Sequence, residues 1–392
     1  MTASATSNET RDPIPLGRRI QEILEEKGAA YLVGFFANRI RFNPHRLVSI
    51  LQSAVVPSPE DLEQIAKGLG ITVERLTRED TQERLERLHE LLQSQGASEE
   101  TVLVAEELAA LSLGATERAD AYCLLGRAYY AAGKLEEAHE AFLKSYRLYE
   151  PVFELYQDSE RMYRFTHNLS ITYTVRKEYS GLADLLKRVE SFSWDDPVKA
   201  GSTFFASAVA QYELGQLDDA KRLFQKSLTA YRETDNREYI GRGYYNLGRV
   251  QYLTGELQAA DSSLESALHE LAADSPFRIK AVEMLIKARI HLGELESAMR
   301  LIQEHEPELH KRPQVLAYLY LLHAYKSEDL KALGDVLAME IVEREWKASG
   351  YKYLMKHYSE HGDSLAVMTY FQYYLQTDQD SSSFEDLFQR RD

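Results

Sequence analysis

Gly133, Gly215, Gly255 and Gly293 stand in the closely similar settings AAGKLEEA, ELGQLDDA, LTGELQAA and HLGELESA, each with an alanine five residues on, at Ala138, Ala220, Ala260 and Ala298. The intervals from 215 to 255 and from 255 to 293 are 40 and 38 residues, and the 82 residues from 133 to 215 hold two units. The interposed unit falls over Met162 to Ser191, where Leu169 and Tyr173 survive but Leu182 takes the alanine's place. A period in this range marks a repeat that buries its apolar face only against its neighbours. Each glycine ends a first helix, each alanine lets the second approach closely, and Tyr, Leu and Phe fill the space between them. The chain is therefore expected to be all-α and to grow by stacking helix pairs from Glu99 onward.

Within the unit from Ala119 to Glu150, Tyr122, Leu125, Gly126 and Tyr129, then Ala138 and Phe142, resemble the tetratricopeptide pattern W-x2-L-G-x2-Y…A-x3-F, with Pro151 one place past the expected proline. The resemblance implies a right-handed tetratricopeptide-like α-solenoid, with units longer than the family standard. After Glu308 the pattern loosens into two further helix pairs, Gln314 to Glu343 and Tyr351 to Leu375. The last is rich in aromatics: Tyr351, Tyr353, Tyr358, Tyr370, Phe371, Tyr373 and Tyr374. Exposed, they mark a dimer interface; buried, they are the last core.

With 392 residues and 44 % apolar content the chain can bury a sizeable core, and no apolar run approaches the ~18 residues of a membrane span. Its polar start, MTASATSNETRDPIP, is read as a tail over 1–13, with a polar C-terminal tail over 378–392. The single cysteine, Cys123, forms no internal disulfide, and a cytoplasmic protein is expected. A net charge of −16 excludes a surface basic throughout, yet Lys27 to Pro59 contains no Asp or Glu while holding Lys27, Arg39, Arg41 and Arg46. Such an island on an acidic chain confines any nucleic-acid contact to one face; the alternative is an ordinary solvated face.

That island lies in a run of short helices over 14–76. Leu16, Ile20, Ile23 and Leu24 share one face of a helix that Gly28 stops, a second helix is expected over Ala30 to Ile40, and a third runs from His45 to Val55 behind Asn43 as cap and Pro44 as first residue. Ser58 and Asp61 form a capping arrangement for Pro59 to Leu69. The segment VPSPEDLEQIAKGLGITVERL resembles the tail of the XRE-type helix-turn-helix family, although the second helix, AAYLVGFFANRI, is bulkier than usual and Val55-Val56 replaces the customary glycine. The resemblance implies a recognition helix near Asn43 to Ala54 that offers Asn43, His45, Arg46, Ser49 and Gln52 to base edges, with Arg18, Arg39 and Arg41 toward phosphates. A half-site reader of this kind implies a homodimer on double-stranded DNA. Thr77 to Gln95 then carries Leu85, Leu88, Leu91 and Leu92 on one face, a linker helix over 77–96 ended by Gly96 and packed on the protein itself.

In tetratricopeptide arrays the first helix of each unit lines the concave face. Registering the units over 97–377 on their landmarks places Arg127 and Tyr130 inward in one, and Arg164, His167 and Asn168 in the next. The following units contribute Phe205, Val209 and Tyr212, then Arg242, Tyr245, Asn246, Arg249 and Tyr252, then Lys280 and Lys287. Cations, aromatics and two asparagines at matching positions suit an extended peptide: an amide pairs with a peptide unit, a guanidinium with a carboxylate. Each residue singly is equally compatible with a core or ion-pairing role.

A helix-turn-helix domain ahead of five or more such units resembles the RRNPP family of peptide-sensing bacterial regulators. The resemblance implies a short imported signalling peptide on the concave face of a homodimer, gripped by Asn168 and Asn246, that alters how the DNA-binding domains are placed. The competing expectation is a protein-binding adaptor whose N-terminal domain no longer reads DNA. No nucleophile–base pair, phosphate loop or metal cluster occurs, and His139, His167, His269 and His291 are scattered, so neither catalysis nor a cofactor is expected.

Overall fold

The computed structural model describes residues 14–94, 98–190 and 196–377. The expected tails over 1–13 and 378–392, and Gly96 as a helix stop, lie outside the described residues. The chain divides into two compact units, Met1–Ser193 and Trp194–Asp392. Every regular element among the described residues is helical.

The first unit opens with α1 (Leu16–Glu26), a 3-10 turn at Ala29–Tyr31, α2 (Val33–Arg39), α3 (Pro44–Leu51), α4 (Pro59–Leu69) and α5 (Val73–Thr77). Ile20, Ile23, Phe36, Leu47, Ile50, Ile65, Leu69 and Leu76 form one core among them. Phe36 is wholly buried while Phe35 is exposed, so only one of the adjacent phenylalanines is structural. Asn43 caps α3 by accepting from the His45 and Arg46 amides, and Ser58 with Asp61 closes a capping box on α4. The third helix is shorter than expected, because Ser53 adopts a left-handed backbone (φ 55°) just beyond Leu51.

Then come α6 (Glu79–Gln93), α7 (Glu99–Leu111), α8 (Ala115–Ala131), α9 (Leu135–Tyr156), α10 (Ser159–Val175) and α11 (Tyr179–Val189). Leu88 of α6 is fully buried with Val102, Ala105, Leu108 and Leu125, so the linker helix packs on its own chain. Gly126 meets Phe142 so closely that a Cβ there would sit 2.5 Å from the ring, the close approach that pairs α8 with α9. α9 runs through Pro151 rather than ending at it. The proline forfeits one helix bond, and burial of Val152 and Phe153 beyond it holds the extra turn.

The second unit contains α12 (Pro197–Glu213), α13 (Leu217–Arg232), α14 (Arg237–Leu253), α15 (Leu257–Glu270), α16 (Arg278–Leu292), α17 (Leu295–Glu304), α18 (Glu306–Leu309), α19 (Pro313–Lys326), α20 (Leu330–Ala338), α21 (Arg344–Glu360) and α22 (Ser364–Leu375). Gly215 and Gly255 turn the chain between paired helices at φ 76° and 81°, a region that side chains other than glycine's rarely tolerate. Ala220, Ala260 and Ala298 are fully buried at the crossings. Of the terminal aromatics, Tyr351 is core and Tyr353, Tyr358, Tyr370 and Tyr374 pack against it, whereas Phe371 and Tyr373 stay exposed.

Candidate functional site: two cation–aromatic rows on the second unit

The face that α12, α14 and α16 share is built by a spacing of seven. Phe205 and Tyr212 lie two turns apart on α12, Arg242 and Arg249 on α14, Lys280 and Lys287 on α16. Because seven residues nearly complete two turns, each pair points the same way, its members about 10.5 Å apart along the axis. The pairs meet in register. The Arg249 guanidinium lies 4.1 Å from the Tyr212 ring centroid, and that of Arg242 lies 4.5 Å from Phe277 and 5.8 Å from Phe205. Lys280 stands 5.3 Å from Phe277 and Lys287 5.0 Å from Tyr318. The aromatic faces hold the cations by their negative quadrupoles without neutralising them.

Acids are scarce on this face. Glu283 accepts from Lys287 Nζ at 2.9 Å and from Arg312 Nη1 at 2.7 Å, one carboxylate between two cations. Among the described residues no carboxylate forms an ion pair with Arg242, Arg249 or Lys280, and the buried Arg249 Nε has no hydrogen-bond partner. Tyr239, whose ring lies 5.9 Å from the Arg242 guanidinium, takes part with Phe277, Glu283 and Tyr318 although the repeat register does not select them. Only Glu283 left a local signal, its four-residue spacing to Lys287.

Three residues expected to face a ligand, Tyr245, Asn246 and Tyr252, are buried in the protein instead. Tyr245 is 7 % exposed within the core of α14, α15 and α16, and burial pushes its phenol pKa up. Asn246 is 5 % exposed, and its Nδ2 donates to the Arg242 carbonyl at 2.7 Å. In this conformation its amide is committed to its own helix. Tyr252 is likewise core, and Val209 packs half-buried beside Phe205.

In the first unit, Arg164 Nη2 is bound to Asp120 at 2.6 Å, and Arg161 shares that carboxylate at 3.3 Å. The charge of Arg164 is thus met within the unit. Asn168 is half-buried, with Nδ2 donating to Cys123 Sγ at 3.2 Å. His167 is open to solvent, yet the protein around it disfavours the charged imidazole and holds its pKa below the ordinary value. Tyr163 stacks on it at 5.5 Å. Arg127 and Tyr130 are half-buried on α8. A cleft of about 330 Å³ lies elsewhere, lined by Pro15, Arg18 and the stretch from Gln157 to Arg161.

The N-terminal helices present Arg39, Arg41, His45, Arg46 and Gln52 to solvent. Four of the expected DNA contacts, Arg18, Asn43, Ser49 and Arg46, are otherwise engaged. Arg18 is 6 % exposed, bonded to Glu22 Oε1 at 2.9 Å and Thr116 Oγ1 at 2.6 Å and lying over Tyr156, so it is interior rather than turned to phosphate. Asn43 is used as the α3 cap, and Ser49 Oγ donates to the His45 carbonyl. Arg46 is gripped by both oxygens of Asp61, and this holds the carboxyl at about 2. Arg39 is exposed and stacks over Tyr31 at 4.0 Å. No helix among the described residues is long and apolar enough to cross a membrane, and no group of three or more His, Cys, Asp or Glu residues there is placed to hold a metal.

Tetratricopeptide repeat models match residues 118–160 and 202–268. No curated protein matches the chain. Among solved structures, the apo form of RapI is 14 % identical with a TM-score of 0.55, covering 91 % of this chain and 97 % of that one. A Rap protein complexed with Competence and Sporulation Factor aligns at 13 % identity and TM-score 0.40, covering 96 % and 100 %. Bacillus thuringiensis PlcR in complex with the peptide PapR7 and DNA aligns at 16 % and 0.36, covering 69 % and 96 %. The repeat matches and the likeness to RapI make this an all-helical protein of tetratricopeptide-repeat fold.

Proposed function

We propose that the chain is a cytoplasmic, peptide-controlled transcriptional regulator of the RRNPP kind, which binds a short oligopeptide on the first-helix face of its repeats and a DNA operator through its N-terminal helices as a homodimer. The observation that carries the peptide half is the cationic face of α12, α14 and α16, where Arg242 and Arg249 rest on aromatic rings without a carboxylate partner among the described residues. Among the described residues no carboxylate neutralises those charges, while an extended peptide supplies both carboxylates and apolar side chains. Asn246 joins the site by exchanging its bond to the Arg242 carbonyl for one to the peptide backbone. Asn168 offers the same amide on the first unit.

The DNA half rests on the acid-free window from Lys27 to Pro59 and on the exposure of Arg39, Arg41, His45 and Gln52. The ion pair of Arg46 with Asp61 favours the second reading, an adaptor whose N-terminal domain does not read DNA.

Calorimetry with a heptapeptide library tests the peptide half: binding by the wild type that weakens in Asn246→Ala supports the site, and equal affinities remove Asn246 from it. A mobility-shift selection from random duplex DNA tests the other half. Enrichment of a sequence that Arg41→Ala and Gln52→Ala no longer retain supports the regulator, and no enrichment leaves the adaptor.

A further inference from the structure

The peptide reading above says nothing of which peptide. The geometry points to a ligand that carries two carboxylates about 10 Å apart, one for each cation–aromatic row of the second unit: an acidic side chain two or three residues ahead of a free C-terminal carboxylate. This inference rests on the peptide reading.

Two rows follow from the shared spacing of seven. One row joins Phe205, Arg242, Phe277 and Lys280; along the other, seven residues on, Arg249 lies over Tyr212 and Lys287 over Tyr318. Arg242 and Lys280 have no acid partner among the described residues, so the first row keeps two positive charges. In the second row Glu283 serves both Lys287 and Arg312, and Arg249 remains over. Each row thus has an excess of cation, and aromatic faces stabilise a guanidinium without cancelling its charge.

The separation selects the ligand. Seven helical residues set the rows about 10.5 Å apart, and an extended chain advances about 3.3–3.6 Å per residue. Three peptide residues cover that distance, and two cover about 7 Å, the glutamate side chain making up the rest. The second carboxylate is best supplied by the chain end, because side chains three apart on an extended strand point to opposite faces, whereas a terminal carboxylate lies on the backbone itself. A guanidinium presents a forked pair of donors to either group.

The experiment uses the full chain and N-terminally labelled heptapeptide pools, each with glutamate at one position and either a free or an amidated C-terminus, read by fluorescence anisotropy. A carboxylate held by a charge-assisted bond is expected to be worth about tenfold in affinity. Pools with Glu two or three residues before the free terminus should therefore bind about tenfold tighter than the matching Gln pools, and amidation should cost about as much. Arg242→Gln and Arg249→Gln should each abolish one preference and keep the other, and Arg242→Lys should restore what Arg242→Gln loses. Circular dichroism checks that each variant keeps its helix content. Equal binding of Glu and Gln pools overturns the two-carboxylate inference and leaves the peptide reading standing. No binding by any pool overturns both.

Discussion

Glu117 Oε2 accepts a hydrogen bond from Arg19 Nη1 at 2.5 Å, across 98 positions of sequence. Its other oxygen accepts from Arg75 Nη2 at 2.5 Å, so a single carboxylate at the start of α8 joins α1 and α5. The side chains of Arg19 and Glu117 are only 2 % and 6 % exposed. Arg19 also donates to the carbonyls of Arg75 and Leu76, so the N-terminal helices are fastened to the first helix pair through buried polar groups. Removing one member of such a cluster leaves charge buried without a counter-ion, at a cost of roughly 3–5 kcal/mol. Glu117→Ala is expected to lose about that much in urea unfolding, and a loss below about 1 kcal/mol contradicts the arrangement.

Lys177 occupies the turn of the α10–α11 pair at φ 57°, the place that glycine holds in the neighbouring pairs. Left-handed backbone costs a residue with a Cβ about 1–2 kcal/mol, and glycine avoids this at a smaller entropic cost. Lys177→Gly is therefore expected to stabilise the chain by about 0.5–1 kcal/mol in the same assay. Equal or lower stability of the variant refutes this account.

Lys177 also shows why one repeat was faint in the sequence. Turn glycines and crossing alanines are demanded by backbone geometry, so they recur wherever helices pair closely and the period could be read from them. The α10–α11 pair meets the same demands by other means: Leu182 is buried where alanine was expected, and Gly181, one residue earlier, lies against the Tyr173 ring. Cations on the first helices were legible for a similar reason, since Arg242, Arg249, Lys280 and Lys287 keep a fixed spacing. Their partners were not. Asp61 before Arg46, Asp120 before Arg164 and Glu22 before Arg18 are set by tertiary packing, which no periodicity reports. The two asparagines illustrate the limit. Their shared register was readable, but whether each amide faces out or bonds its own surroundings depends on neighbours that differ between the pairs.

Asp61 ties the face of α3 to pH. Hydrogen bonding from Arg46, joined by the Ser58 amide, holds its carboxyl at about 2, below the ordinary value near 3.9. A depressed carboxyl stabilises the folded state above its unfolded pKa, and that stabilisation disappears as pH falls through the folded one. Unfolding curves of wild type and Asp61→Asn should thus differ at pH 5 and above, and converge between about pH 4 and pH 2. A constant difference across that range removes the ionised pair from the account. The same variant releases Arg46, so under the regulator reading it should bind DNA at least as tightly as the wild type in a mobility-shift assay once the domain is shown to be folded.

Leu365, Met368, Phe371 and Leu375 are 79 %, 58 %, 43 % and 61 % exposed on α22. At 100° per residue they fall within about 120° of arc, one continuous stripe on the outer side of the helix. The inner side is occupied, with Tyr370 and Tyr374 packed against the core that contains Leu333, Leu337 and Tyr351. Among the described residues no further helix pair covers this side of α22, and the outer face of a repeat pair is polar or is covered. This one is apolar, and burying side chains of this size gains about 1.5–3 kcal/mol each when complete. A second copy of the chain, meeting the stripe with its own, satisfies that demand symmetrically. Sedimentation of the wild type is expected to give the mass of two chains, and Leu365→Asp with Met368→Asp the mass of one, at unchanged helix content. A two-chain mass in the double variant places the dimer contact elsewhere, and a one-chain mass in the wild type removes the dimer itself.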